Sequence, residues 1–238
     1  MPDWTAVTSP AARDAVLAIL EAFDFERAFG AFLPVEDAVR TALLLCYAEQ
    51  GRAPAFGELA QRTDLSEQAV RSIVAVLAKR DLVVLDADGG RIIGAYPFTE
   101  RETDHRVVLG DRTIHSMCAI DALGVGAMLD RDVTVHSCCR ACGVPVNVTT
   151  GGCGLAIANL EPVSAVVWAG IRSTDGCAAS SLCTVIAFFC SGAHLETWRR
   201  AQQPMSGGSC LSIGEALEAG RAIFAPTLAI GSGQFANR

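Results

Sequence analysis

Cys118 and Asp121 stand three residues apart in Thr113-Ile114-His115-Ser116-Met117-Cys118-Ala119-Ile120-Asp121-Ala122-Leu123. On a helix that spacing puts a thiol and a carboxyl on one face, where both can act on one substrate. Their neighbours Met117, Ile120, Ala122, Leu123 and Val125 are apolar. A carboxyl held among such residues is expected to have a raised pKa and to keep its proton near neutrality, the state a general acid needs. A helix with one buried cysteine and one exposed aspartate has the same spacing, so the pair alone does not decide between chemistry and structure.

Two further cysteine clusters follow. His136-Ser137-Cys138-Cys139-Arg140-Ala141-Cys142-Gly143 contains Cys-x-x-Cys, the spacing of half a zinc site. A structural zinc needs two more ligands; the sequence has no second Cys-x-x-Cys and no His-x3-His, and Cys153 could supply only a third thiolate, so zinc is disfavoured. The motif does not open a helix after a strand, so a thioredoxin-like redox role is disfavoured. The third cluster runs from Cys177 through Cys183 to Cys190. Cys183 is read as the first residue of a strongly apolar strand over 183–189, at the mouth of a core. Cys190 ends that run with the opposite side-chain parity. Core filling is the competing reading for each cysteine taken singly, because unpaired thiols are among the most buried side chains.

The elements that must position these residues fall into two regions. Val16, Ile19, Leu20 and Phe23 recur at helical spacing over 12–23, and Val39, Ala42, Leu43 and Cys46 do so over 35–48. A helix over 56–62, a turn at Thr63-Asp64-Leu65 and a helix over 66–79 make a helix-turn-helix. A hairpin follows, with strands at 82–85 and 91–95 around Asp88-Gly89-Gly90. This describes a winged-helix-like module. Its second helix exposes Glu67 and Gln68 against only Arg71, Lys79 and Arg80, a weak basic face for phosphates. From about residue 104 short β-rich runs dominate, at 107–109, 133–136, 144–149, 165–168 and 183–189, punctuated by Gly151-Gly152 and Gly176. Helices are expected at about 114–129, 193–203 and 212–224, the last opening with Ser212 and Glu215 in capping-box spacing. The expected fold class is α+β. A helical, winged-helix-like region over 1–97 precedes a catalytic domain over 98–238 with a mixed β-sheet and flanking helices.

Composition narrows the function. With 51% apolar and 19% charged residues in 238, the chain can fill a real core. A net charge of −7 without a basic tail argues against nucleic acid as partner. No run of roughly 18 apolar residues is present, and Met1-Pro2-Asp3-Trp4 does not begin a signal peptide, so a cytoplasmic protein without a membrane partner is expected. Ten cysteines in a chain of this kind are expected to be free thiols rather than a disulfide framework.

Set in order, four stretches acquire a common meaning. They are Arg101-Glu102-Thr103 leading into a strand; Cys118-Ala119-Ile120-Asp121; the cysteine-rich turn closing in Gly143-Val144-Pro145-Val146; and Ser181-Leu182-Cys183 followed by Phe188-Phe189 and Trp198. Through them the chain from about Gly94 to Trp198 resembles the organomercurial (alkylmercury) lyase family. That family has an N-terminal winged-helix-like region that does not read DNA. The resemblance implies Cys118 and Cys183 as the two essential cysteines, Asp121 as the proton-handling carboxyl, and mercury held by these three as substrate and product. It implies Cys139 as a structural cysteine.

The implied activity is protonolysis of a carbon–mercury bond, giving a hydrocarbon and Hg(II), in mercury detoxification. No organic cofactor or resident metal is implied. Mercury enters with a small organomercurial and leaves to small thiols or a mercuric reductase. Mercury is soft and prefers thiolate sulfur, which agrees with the residues themselves. Cys177 competes with Cys183 as the second thiol. The extra cysteines Cys138, Cys142, Cys153, Cys177, Cys190 and Cys210 stay open between mercury traps, a metal site and core. The alternative to a lyase is a non-catalytic, thiol-rich metal-binding or metal-sensing protein that uses the winged helix on DNA.

Overall fold

A computed structural model describes residues 1–172, 177–202 and 207–229. Gly176 and Gln203, named above as a break and as a helix end, lie outside the described residues.

The first third is helical: α1 (Pro10–Ala22), α2 (Phe25–Phe29), α3 (Pro34–Gln50), α4 (Phe56–Thr63) and α5 (Glu67–Lys79). Local chemistry fixes their ends. Ser9 accepts the Ala12 N–H at the start of α1, Ser66 accepts the Ala69 N–H at the start of α5, and α3 stops at Gly51 in the left-handed region (φ 73°). Val16 and Ile19 of α1 and Val39, Leu43 and Cys46 of α3 are buried, as their spacing requires.

Strands β1 (Val83–Leu85), β2 (Ile92–Ala95), β3 (Phe98–Thr99), β4 (Arg106–Leu109), β5 (Arg112–Ser116), β6 (Thr134–Cys138), β7 (Pro145–Gly151) and β8 (Ala156–Glu161) form one sheet in the order β1-β2-β3-β5-β4-β6-β7-β8. The hairpin β1–β2 is thus the end of a long sheet that continues from β2 into β3. A second sheet has β9 (Val166–Gly170) between β10 (Ile186–Phe189) and β11 (Gly208–Ser212). Every pairing described is antiparallel, so the expected mixed sheet is corrected. The α+β class stands.

Two buried helices lie at the centre, α6 (Ala119–Leu129) and α8 (Ile213–Ala229), while α7 (Gly192–Ala201) follows β10. α6 touches β4, β5, β9 and β10, and α8 touches β8, β9 and β11, so both are held between the sheets. All residues from Ala119 to Gly126 are buried, which a helix apolar on every side demands. The expected helix over 114–129 begins only at Ala119, because 112–116 is extended and pairs with β3 and β4. The opening of α8 is as read: the Ser212 N–H donates to Glu215 Oε2 (2.8 Å), and the Glu215 N–H returns to Ser212 Oγ (3.3 Å).

α6 and α8 cross at Gly124 and Gly220. A Cβ on Gly220 would stand 2.8 Å from both the Gly124 nitrogen and the Ile120 carbonyl oxygen, all backbone atoms that cannot yield without moving a helix. Gly220→Ala is expected to lower unfolding free energy by about 1–3 kcal/mol, the cost of overpacking. Urea unfolding of the variant against the parent measures it, and an unchanged midpoint would refute the close crossing.

Candidate active site

Cys118 is the residue that begins α6. Its backbone is extended, and its Sγ accepts the Asp121 N–H at 3.4 Å in the position usually held by a serine or aspartate oxygen. The spacing therefore brings thiol and carboxyl together as a helix cap, not as two residues within a helix. Cys183 arrives from the other side. It sits in a short 3-10 turn, Cys183–Val185, leading into β10, so the strand expected to begin at Cys183 begins at Ile186. Its Sγ donates to Asp121 Oδ2 at 3.8 Å. The two sulfurs and a carboxylate oxygen all lie within 4.8 Å of one another.

Burial sets the charges. Asp121 is 5% exposed, and desolvation raises its pKa from 3.8 to about 7, against hydrogen bonds with Cys118 and Cys183 that favour the anion. The carboxyl thus stands near the midpoint between acid and base at neutrality, as its apolar neighbours predicted. Burial also pushes the Cys118 thiol up. Cys183 is pushed up by its hydrogen bond with Cys118 and then by burial. Both sulfurs rest as thiols, and the nearby carboxylate is the group placed to deprotonate them.

A cavity with a largely apolar lining opens over these residues. Its wall includes Ile19 and Phe23 of α1, Phe29 of α2, and Ile223 and Phe224 of α8. None of these was singled out by sequence as a site residue; helical apolar spacing marks a residue as inward-facing without saying whether it faces core or cavity. Tyr96 also lines it. Its hydroxyl is buried without a hydrogen-bond partner among the described residues, yet it lies close enough to Cys183 to ease negative charge there. α1 is held over the cavity by α8: Glu218 accepts the Thr8 and Ser9 N–H groups (2.9 Å each), and Glu215 accepts the Ser9 hydroxyl (2.7 Å).

Cys177 is not in this group. Its thiol is directed to Asp81, whose carboxylate also accepts the Ala178 N–H at 2.8 Å. All ten cysteines are free. Cys139 and Cys142 meet Cys190 and His194, not Cys153, which is exposed in the turn after β7. Cys153, which the sequence offered as at most a third thiolate, is not part of this cluster. Sequence reading missed His194 because Cys190 and His194 reach the cluster from a strand end and a helix start; Cys190-x3-His194 was the available signal. Burial raises the Cys139 thiol, but the amides of Cys190, Ala141 and Cys142 and the His194 ring outweigh it and bring it down to about 6.

A buried pair of thiols with a carboxyl of intermediate acidity has the chemistry to hold a soft, thiophilic ion and to move a proton. A sequence model of the alkylmercury lyase family matches residues 98–225. The alkylmercury lyase of Staphylococcus epidermidis is 30% identical over 181 residues, covering 75% of this chain and 78% of that protein. The alkylmercury lyase of Streptomyces lividans is 27% identical over 178 residues, with the same two coverages. The crystal structure of the mercury-bound form of MerB2 superposes with a TM-score of 0.70 at 25% identity, covering 92% of this chain and 100% of that one. The chain belongs to the alkylmercury lyase family, and its enzyme class is that of a carbon–mercury lyase. Among the described residues no helix is long and apolar enough to cross a membrane.

Proposed function

We propose that this chain cleaves the carbon–mercury bond of small organomercurials by protonolysis, with Cys118 and Cys183 as the two mercury ligands and Asp121 as the proton carrier. The single observation that carries this reading is the convergence of two buried thiols and one carboxyl, from segments more than sixty residues apart, within 4.8 Å in an apolar cavity.

Cys118 takes mercury first, displacing the substrate's labile ligand, which leaves with the thiol proton. The helix-start N–H of Asp121 stabilises that sulfur as it becomes anionic. Cys183 then bonds the metal while its proton passes along the existing hydrogen bond to the Asp121 carboxylate. The Tyr96 hydroxyl supplies a donor for the new thiolate. Two soft thiolates raise electron density on the mercury-bound carbon. Asp121, now protonated, delivers that proton to carbon as the carbon–mercury bond breaks. The balance is one organomercurial and two thiols giving a hydrocarbon, Hg(II) held by two thiolates, and the protonated labile ligand. Mercury is substrate and product throughout. The reaction requires no organic cofactor and no resident metal, and small thiols or a mercuric reductase would take the Hg(II).

Binding to DNA has little support. On the α4–α5 face Arg71 is tied to Glu67 (2.6 Å) and stacked on Phe56, Arg62 is tied to Glu49, and Arg52 to Glu58 (2.6 Å). Paired arginines have little left for phosphates. Reduced enzyme incubated with phenylmercury and excess thiol is expected to release benzene, read by headspace gas chromatography. Benzene no higher than in the thiol-only control would sink the proposal.

A further inference from the structure

The structure assigns a second metal site to this chain: Cys139, Cys142, Cys190 and His194 form a four-ligand centre for a tetrahedral Zn(II), separate from the cavity of Cys118, Asp121 and Cys183. The four ligand atoms lie within 4.8 Å of one another. With Zn–S near 2.3 Å and Zn–N near 2.0 Å, a tetrahedral centre needs S···S edges of about 3.8 Å and S···N edges of about 3.5 Å. Cys142 Sγ and Cys190 Sγ are 3.8 Å apart, and Cys139 Sγ is 3.8 Å from His194 Nδ1. Cys190 Sγ and His194 Nδ1 are 2.9 Å apart, so one edge must open by roughly half an ångström, within reach of two side-chain torsions.

The backbone around the ligands is already shaped for a metal. Cys139-Arg140-Ala141-Cys142-Gly143 is a tight turn in which the Gly143 N–H donates to the Cys139 carbonyl at 2.8 Å, and Gly143 takes φ 74°, a left-handed value that suits glycine. The turn returns to its own strand through the Cys139 N–H and the Val144 carbonyl, 2.8 Å. On the other half, Ser191 caps α7 by accepting the His194 N–H, which aims the imidazole back at Cys190. The Arg140 N–H donates to the Phe188 carbonyl at 3.0 Å and fixes one half against the other. A complete set of three sulfurs and one imidazole matches a closed, structural zinc site, with no position open for substrate.

The location gives the metal a task. Cys139 follows β6 of the larger sheet, while Cys190 follows β10 of the smaller, so the ion would cross-link the two sheets. β10 is also the strand that Cys183 leads into.

Protein expressed with added zinc and purified without chelator is expected to carry one zinc per chain by elemental analysis. After removal of that zinc under reducing conditions, Co(II) is expected to give the intense thiolate charge-transfer and tetrahedral d–d bands of a three-sulfur, one-nitrogen site, which Zn(II) abolishes. Cys142→Ser and His194→Ala are expected to lose the metal, while Cys118→Ser retains it. Three results would overturn the assignment: under a tenth of a zinc per chain with no thiolate–cobalt bands; zinc lost from Cys118→Ser but kept by Cys142→Ser; or a Cys142–Cys190 disulfide in freshly purified protein by mass spectrometry. If the ligand variants fail to fold, the wild-type cobalt spectrum and its displacement by zinc still decide. The outcome is independent of whether benzene is released.

Discussion

Cys118→Ser and Cys183→Ser are each expected to cut benzene release from phenylmercury by a factor on the order of 10³ or more, whereas Cys177→Ser is expected to leave it unchanged. Serine keeps the shape and the hydrogen bond but replaces a soft sulfur with a hard oxygen that mercury does not favour. In the proposed mechanism a single thiolate leaves the carbon without the electron density that makes it basic, and the proton on Asp121 without an acceptor. Because the proposed mechanism needs both sulfurs at once, the double variant is expected to be no worse than either single one. Cys177 serves as the control because its thiol faces Asp81, outside the group of Cys118, Asp121 and Cys183. A Cys183→Ser enzyme with full turnover would place the second ligand elsewhere.

Asp121→Asn is expected to abolish turnover and yet make the protein more stable at alkaline pH. Unfolded, this aspartate ionises near 3.8; folded, desolvation holds its proton until about 7. The folded state therefore binds the extra proton between those values. Its contribution to stability is complete below about pH 4 and is lost as pH rises to and past 7. Ionising the buried carboxyl costs roughly 4 kcal/mol relative to water over that interval. Asparagine fills the same space without titrating. Denaturant melts of wild type and variant should diverge from pH 4 upward, with the variant the more stable at pH 8 and the two close at pH 4. A variant less stable than wild type at pH 8 would mean that the carboxylate is compensated inside the site, and that it is not poised to give up a proton to carbon.

How much of this was readable in the sequence depends on the range of the interaction. Cys118 and Asp121 were legible because both belong to one helical turn, and Asp121's raised pKa followed from its apolar neighbours. The cap role of Cys118 was not, since the sequence pattern does not separate the end of β5 from the start of α6. The Ser212–Glu215 box and the α1 and α3 stripes are local and came through. Cys183 meeting Cys118 is a long-range event that no spacing encodes; only an ordered resemblance brought the two together. β8 and β11 were missed: every residue of β8 is half-buried or exposed, which erases the apolar signal. His194 was missed because only its spacing to Cys190 is local, while the turn of Cys139 and Cys142 that the pair meets lies about fifty residues upstream.

The wall of the cavity has one more consequence. Ile19, Phe23, Phe29 and Tyr96 all lie upstream of residue 98, where the family match begins, while both thiols and the carboxyl lie within it. Part of the cavity wall thus comes from outside the family-matched segment, while Ile120, Leu182, Ile186, Ile223 and Phe224 come from within it. On the proposed mechanism, substitutions at Ile19, Phe23 and Phe29 are expected to change which organic group is accepted without displacing Cys118, Asp121 or Cys183.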